Sequence, residues 1–156
     1  MSEMMRPKQQ VNDPAEIRAI LDRAPVLRLA MSRDDQPYLV PLCFGYADGV
    51  IYLHTGRRGQ KIDFLRANPR VCFEVESEVT VVPGDQPCAW SLRYRSVVGM
   101  GTATVVSDDG ERRRGLQVIA EHYVGPGRHR LLPDSADRTT VIRIDITEMT
   151  GRRNSD

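Results

Sequence analysis

The spacing of apolar residues changes period along the chain, and each change marks an element. Ile17, Ile20 and Leu21 fall on one helical stripe. Asp13 can cap that stripe, Pro14 suits a first helical position and Glu16 completes a D-x-x-E capping box, which predicts a helix ending before Pro25. From Val26 to Ser32 the period drops to two, with Leu27, Leu29 and Met31 on one face. Asp34-Asp35-Gln36 then turns the chain into Pro37–Tyr46, a β-hairpin, and Asp48-Gly49 turns it again into Val50–His54. Three antiparallel strands therefore arrive in succession.

Beyond Gly56 and Gly59, Ile62 and Leu65 stand three apart in a short helix from Lys61 to Ala67. Asn68-Pro69 ends it, because a residue before proline avoids the helical region. Val71, Phe73 and Val75 alternate with Cys72, Glu74 and Glu76 in a fourth strand. Residues 77–89, with Pro83-Gly84 and Pro87, read as a long connection or lid, with Val79–Val82 open as a short strand. Ser91–Val106 places Tyr94, Ser96, Val98, Met100, Thr102 and Thr104 on one side, and Gly99 and Gly101 permit a bulge. Asp108-Asp109 starts a third helix with Leu116, Ile119, Ala120 and Tyr123 on its apolar face, and Gly125-Pro126-Gly127 ends it. Thr139–Ile146 is the closing strand. Six strands of hairpin connectivity with three small helices predict a mainly β fold, an antiparallel barrel with helices around it. The expected boundaries are a flexible N-terminal arm over 1–12, one domain over 13–147 and a frayed tail over 148–156.

A chain of 156 residues fits one domain with one sizeable core. Its 22 Lys and Arg balance 21 Asp and Glu, so charge gives no general argument for nucleic acid or an anionic membrane, and any anion site must be local. No apolar run is long enough to span a bilayer and the first ten residues lack the apolar stretch of a signal peptide, which makes the cytoplasm the expected location. Cys43, Cys72 and Cys88 have no C-x-x-C spacing. They are expected to be reduced and mostly buried, with neither a zinc site nor a disulfide framework, and no metal is expected.

The local chemistry concentrates in Y-L-H-T-G-R-R-G-Q-K, Tyr52 to Lys61, where a strand runs through two glycines into a basic helix start. Glycine lets backbone N–H groups turn toward a ligand, a helix start carries positive partial charge, and Lys61 adds a full one. That combination suits a phosphate. The plain alternative is a strand-to-helix connection with a solvated lysine.

Four ordered segments extend the pattern: R-L-A-M-S-R-D-D-Q-P-Y-L-V-P-L-C-F-G-Y from Arg28, Y-L-H-T-G-R-R-G-Q-K-I-D-F-L from Tyr52, N-P-R-V-C-F-E-V from Asn68 and W-S-L-R-Y-R-S-V-V-G-M-G-T-A from Trp90. Together they resemble the pyridoxamine 5′-phosphate oxidase-like superfamily of FMN-binding split barrels, nearest its nitroimidazole-resistance (Nim-type) branch. The resemblance covers residues 13–147 and implies a six-stranded antiparallel split β-barrel that forms a homodimer with FMN at the subunit interface. It implies a flavin-dependent oxidoreductase, with nitroaromatic compounds as one substrate class. A non-catalytic flavin- or haem-binding protein and a deazaflavin-dependent reductase remain alternatives on the same fold.

By position, the resemblance puts Thr55, Gly59 and Lys61 at the FMN phosphate and Pro41, Leu42, Cys43 and Phe44 along the isoalloxazine. His54 would contact flavin or substrate as the candidate catalytic residue, although a strand histidine is also ordinary packing. Trp90, Tyr94 and Ser96 would reach the partner subunit's cofactor, or else pack within the sheet. Cys43 reads as a buried small hydrophobe rather than a reactive thiol, and His122 and His129 as solvent-facing. The C-terminal R-I-D-I-T-E-M-T-G-R-R lacks the substrate-binding element of the vitamin-forming enzymes, so pyridoxamine phosphate oxidation itself is not expected.

Overall fold

The computed structural model describes residues 9–129 and 138–155. Two tight turns set the strand order. Asp34 and Asp35 have φ of 50° and 61°, and Asp48 and Gly49 have φ of 51° and 81°, the paired left-handed conformation whose twist matches flanking antiparallel strands. They join β2 (Leu27–Arg33) to β3 (Gln36–Leu42) and β4 (Phe44–Ala47) to β5 (Val50–Thr55). With β1 (Gln10–Val11), β6 (Arg70–Val82), β7 (Ser91–Val105) and β8 (Thr140–Asn154) these form one sheet in the order β3-β2-β6-β7-β8-β5-β4, with β1 beside β8.

The two edge strands of that sheet, β3 and β4, are consecutive in the chain and joined by Cys43 alone. The sheet must therefore curl until its edges meet at a corner, yet β3 pairs with β2 and β4 with β5, so the seam stays unladdered. This is the split of the barrel. Inside it Leu27, Leu29, Phe44, Ile51, Leu53, Phe73, Ile142 and Ile144 are fully buried. Helix α1 (Pro14–Arg23) adds Ile17, Ile20 and Leu21, and α2 (Gln60–Ala67) adds Ile62, Phe64 and Leu65. Helix α3 (Asp109–Val124) lies outside, where Ile119 meets Tyr52 and Val141 in a second small cluster. Gly45 and Gly115 make that approach possible: a Cβ on Gly45 would stand 2.5 Å from the Val118 carbonyl oxygen, and one on Gly115 would stand 2.8 Å from the Tyr52 ring.

Several expectations change. The sheet has eight strands among the described residues because Pro37–Tyr46 breaks at Cys43 and Gln10–Val11 pairs with the end of β8. The expected lid over 77–89 shrinks, because β6 runs on to Val82 through a bulge between Ser77 and Thr80. The tail expected to fray carries β8 as far as Asn154, paired to β7 and, at Gly151 and Arg152, to β1. Asp13 caps α1 as expected, accepting from the Ala15 N–H at 3.0 Å, but Glu16 does not close a capping box. Its carboxylate takes Arg95 and Arg153 instead, tying α1 to β7 and β8. The cysteines are not mostly buried: Cys43 and Cys88 are exposed, at a strand corner and in a surface turn, and Cys72 is intermediate. Among the described residues no helix is long and apolar enough to cross a membrane.

Candidate functional site

Strand β5 ends where the chemistry begins. Ile51 and Leu53 point into the barrel, so His54 points to the opposite face, paired in register with Val141, and it is exposed. Its imidazole has no side-chain partner among the described residues. It is therefore not the packed strand histidine that local pattern alone favours. Thr55 follows, half-buried and opposite Thr140.

Gly59 then caps α2 with φ 135° and ψ 167°, a conformation open to glycine and costly for other residues. No side chain caps this helix start. Ile62 and Asp63 N–H donate to the Gly59 carbonyl, which leaves the Gln60 and Lys61 amides without an intrahelical acceptor, and Lys61 stands one residue inside, half-buried and without an ion-pair partner among the described residues. Exposed amides, a helix dipole and an uncompensated ammonium together fit a phosphate group.

The β3–β4 corner lies beside this end of β5. Phe44 pairs with Leu53, so continuing the register one step sets Cys43 against His54. A polar clamp fixes the corner. The Phe44 N–H donates to the Tyr123 hydroxyl at 3.2 Å, which donates to the Pro25 carbonyl at 3.1 Å. His122 Nε2 lies 2.8 Å from the Ala24 carbonyl oxygen, and its ring is 4.4 Å from that of Phe44. His122 is thus a structural contact rather than a solvent-facing residue. Burial raises the Tyr123 pKa, and the neighbouring Cys43 thiol acts in the same direction. Pro41 and Cys43 are exposed and can line a groove, whereas Leu42, opposite Leu27, packs its side chain against the core and can meet that groove only through its backbone. Phe44 is fully buried and shapes such a groove only from behind.

Trp90, Tyr94 and Ser96 do not join this group. They share one face of the β7 arm, at the other end of β8: Thr55 pairs with Thr140, whereas Tyr94 pairs with Asn154. The two groups stand apart by the full 15-residue length of β8, a contour of about 45 Å. Around Trp90 and Tyr94 is a cleft of about 490 Å³ that also takes in Gln9, Leu92, Arg152 and Asn154. Trp90 is 56% exposed, whereas Ser96, opposite Arg152, is 9% exposed. Arg152 and Asn154 were missed from the sequence because their segment reads as a polar tail. The only signal was that Thr150, Arg152 and Asn154 keep a period of two.

A larger cleft, about 710 Å³, opens on the outer face of β2, β6, β7 and β8, lined by Ser32, Asn68, Arg70, Cys72, Met100 and Glu148 among others. None of the candidate cofactor-site residues lines it. Burial raises the Cys72 pKa there, which holds that thiol protonated. Among the described residues no cluster of His, Cys, Asp and Glu is arranged to hold a metal ion.

The family model described as pyridoxamine 5′-phosphate oxidase matches residues 13–153, and the chain belongs to that family. Among solved structures, a candidate 5-nitroimidazole antibiotic resistance protein from Bacteroides thetaiotaomicron is 28% identical, with a TM-score of 0.78 over 91% of this chain and 84% of that one. A FAD-binding protein from Mesorhizobium loti is also 28% identical, with a TM-score of 0.67 over 92% of this chain and 96% of that one. An uncharacterized protein from Rhizobium meliloti (strain 1021) is 37% identical over 60 residues, 38% of this chain and 39% of that protein. In that match the chain spans well under half of its curated relative. The split-barrel fold expected from the motifs is the fold observed.

Proposed function

We propose that the chain is an FMN-dependent oxidoreductase acting as a homodimer. The observation that carries this reading is Lys61, a cation with no ion-pair partner among the described residues, at an uncapped helix start beside Thr55 and the exposed His54. Lys61, the first α2 amides and Thr55 bind the phosphate, while Pro41, Leu42 and Cys43 lie along the ring system. His54 stands where its imidazole can hydrogen-bond the flavin or a substrate. When bound, flavin supplies the electron-transfer chemistry, and the protein supplies orientation and access.

The same geometry supports reading it as a dimer. The groups around Lys61 and Trp90 lie at opposite ends of β8 within one chain, so one protomer's Trp90, Tyr94 and Ser96 can complete only the other protomer's groove. The outer sheet face supplies an apolar contact surface, with Leu39 59%, Leu92 44% and Met100 39% exposed. Nitroaromatic compounds are the proposed substrates, on the likeness to the Bacteroides protein, and the Mesorhizobium likeness supports a flavin.

The deciding measurement is the visible absorption spectrum of the purified protein before and after FMN is added, with the chromophore released by denaturation and identified by mass. Near-stoichiometric FMN, followed by turnover of a nitroaromatic compound with a nicotinamide donor, supports the proposal. Released FAD would change the cofactor and keep the class. A Soret band, or failure to take up any flavin, would overturn it.

A further inference from the structure

We propose that the cleft between the β7 arm and the end of β8 recognises a planar aromatic anion, with Arg152 selecting its charge. This rests on the oxidoreductase reading above in one respect, that the compound bound is the substrate, and it narrows that substrate to aromatic compounds carrying a carboxylate or comparable anionic oxygens. The cleft volume, about 490 Å³, lies within the range of small-molecule sites. Trp90 and Tyr94 supply flat apolar surfaces of the kind an aromatic ring stacks on.

The state of Arg152 decides the charge of the ligand. Arg18, Arg28, Arg95, Arg143 and Arg153 all hold carboxylates. Arg152 instead donates from Nη2 and Nε to the Gln9 side-chain oxygen, at 2.7 and 3.3 Å, and has no carboxylate partner among the described residues. Gln9 is held in turn, its amide nitrogen donating to the Asn154 side-chain oxygen at 3.0 Å. Asn154 donates to the Leu92 carbonyl at 2.6 Å and the Ser91 hydroxyl at 3.3 Å. Two neutral amides therefore orient the guanidinium without neutralising it. Its Nη1 makes no hydrogen bond among the described residues. The carboxylate nearest in register, Glu76 across Ser96, is engaged by Arg28 at 2.9 Å. An oriented, uncompensated guanidinium beside two aromatic faces is a carboxylate fork with a stacking platform.

Trp90 is the only tryptophan in the chain, so intrinsic tryptophan fluorescence reads this cleft directly. The test titrates the flavin-free protein with benzoate and with its neutral isostere benzamide. Benzoate is expected to bind about tenfold or more tighter, as loss of a charge-assisted hydrogen bond implies. Arg152→Gln should bring the ratio to about one, and Tyr94→Ala should weaken both compounds and leave the ratio unchanged. Equal affinities in the wild type, or an unchanged ratio in Arg152→Gln, would overturn the proposal. Should Arg152→Gln fail to fold by circular dichroism, Arg152→Lys replaces it, and wild-type benzoate affinity in that variant would overturn the role of the planar fork. Because no flavin is present, benzoate selectivity without FMN binding would sink the oxidoreductase reading and leave the cleft standing. FMN binding without benzoate selectivity would do the reverse.

Discussion

Lys61 and His54 differ in what their surroundings leave them free to do. Lys61 has no counter-charge among the described residues, and replacing it should remove a charge-assisted contact worth about 1.5–3 kcal/mol. Lys61→Ala is therefore expected to lower FMN affinity by about one to two orders of magnitude with melting temperature unchanged; flavin fluorescence titration checks this, and equal affinity would remove Lys61 from the site. His54 is exposed, so His54→Ala should leave the melting temperature intact and alter the flavin spectrum or reductase rate. A large loss of stability with normal activity would contradict that role. Glu74 titrates for a different reason: burial raises its pKa above the ordinary 4.5, the like charge of Glu76 adds to the rise, and Arg28 opposes it. The folded state thus holds a proton that the unfolded state has released, and this contribution to stability declines as pH rises from the ordinary carboxylate value through the raised one. Urea midpoints across that window should show the decline in the wild type and not in Glu74→Gln. Lys61 was legible because glycines and a helix start can be read locally, whereas Arg152 was not, since its value comes from Gln9, 143 positions away.

At the scale of elements, period-two patterns worked until a bulge reversed them. Along β6, Val71, Phe73 and Val75 face inward, but two residues between Ser77 and Thr80 oppose one on β7, and beyond them Val81 faces outward with Leu92. Along β8, Ile142, Ile144 and Ile146 face inward, then Thr147 is skipped in the register and Met149 and Gly151 take the inner side. One extra residue flips every later side chain, so each continuation looks like loop or tail when the first parity is extended. Helix α3 shows the complementary case. Its start was readable, and Asp108 does cap it, accepting from Glu111 N–H at 2.8 Å. Its seating was not, because it depends on bare backbone at Gly45 meeting Val118. Gly45→Ala should cost about 2 kcal/mol by forcing α3 away from β4, measured as a lowered urea midpoint; an unchanged midpoint would mean the helix shifts freely.

For the whole molecule, the separation of the two residue groups along β8 makes assembly a requirement of the proposed function. Light scattering at micromolar concentration is expected to give a dimer. Leu39, in the row Leu39–Ala30–Cys72–Met100 across β3, β2, β6 and β7, lies on the outer apolar face, and Leu39→Glu should dissociate the dimer and abolish FMN binding without unfolding the chain. A wild-type monomer that binds FMN tightly would contradict the shared groove.

Hydrophobic periodicity and turn chemistry by themselves determined the class of fold, the hairpins at Asp34-Asp35 and Asp48-Gly49 and the Asp13 and Asp108 helix caps, because each is settled within a few residues of chain. Only the tertiary structure decided that the sheet closes through Cys43 and that His54 emerges on the face opposite the core. It alone also decided that β8 continues to Asn154, carrying Arg152 to Trp90 and Tyr94. Those outcomes depend on strand order, on bulges that reset parity and on partners more than a hundred residues apart, none of which leaves a local mark in the sequence.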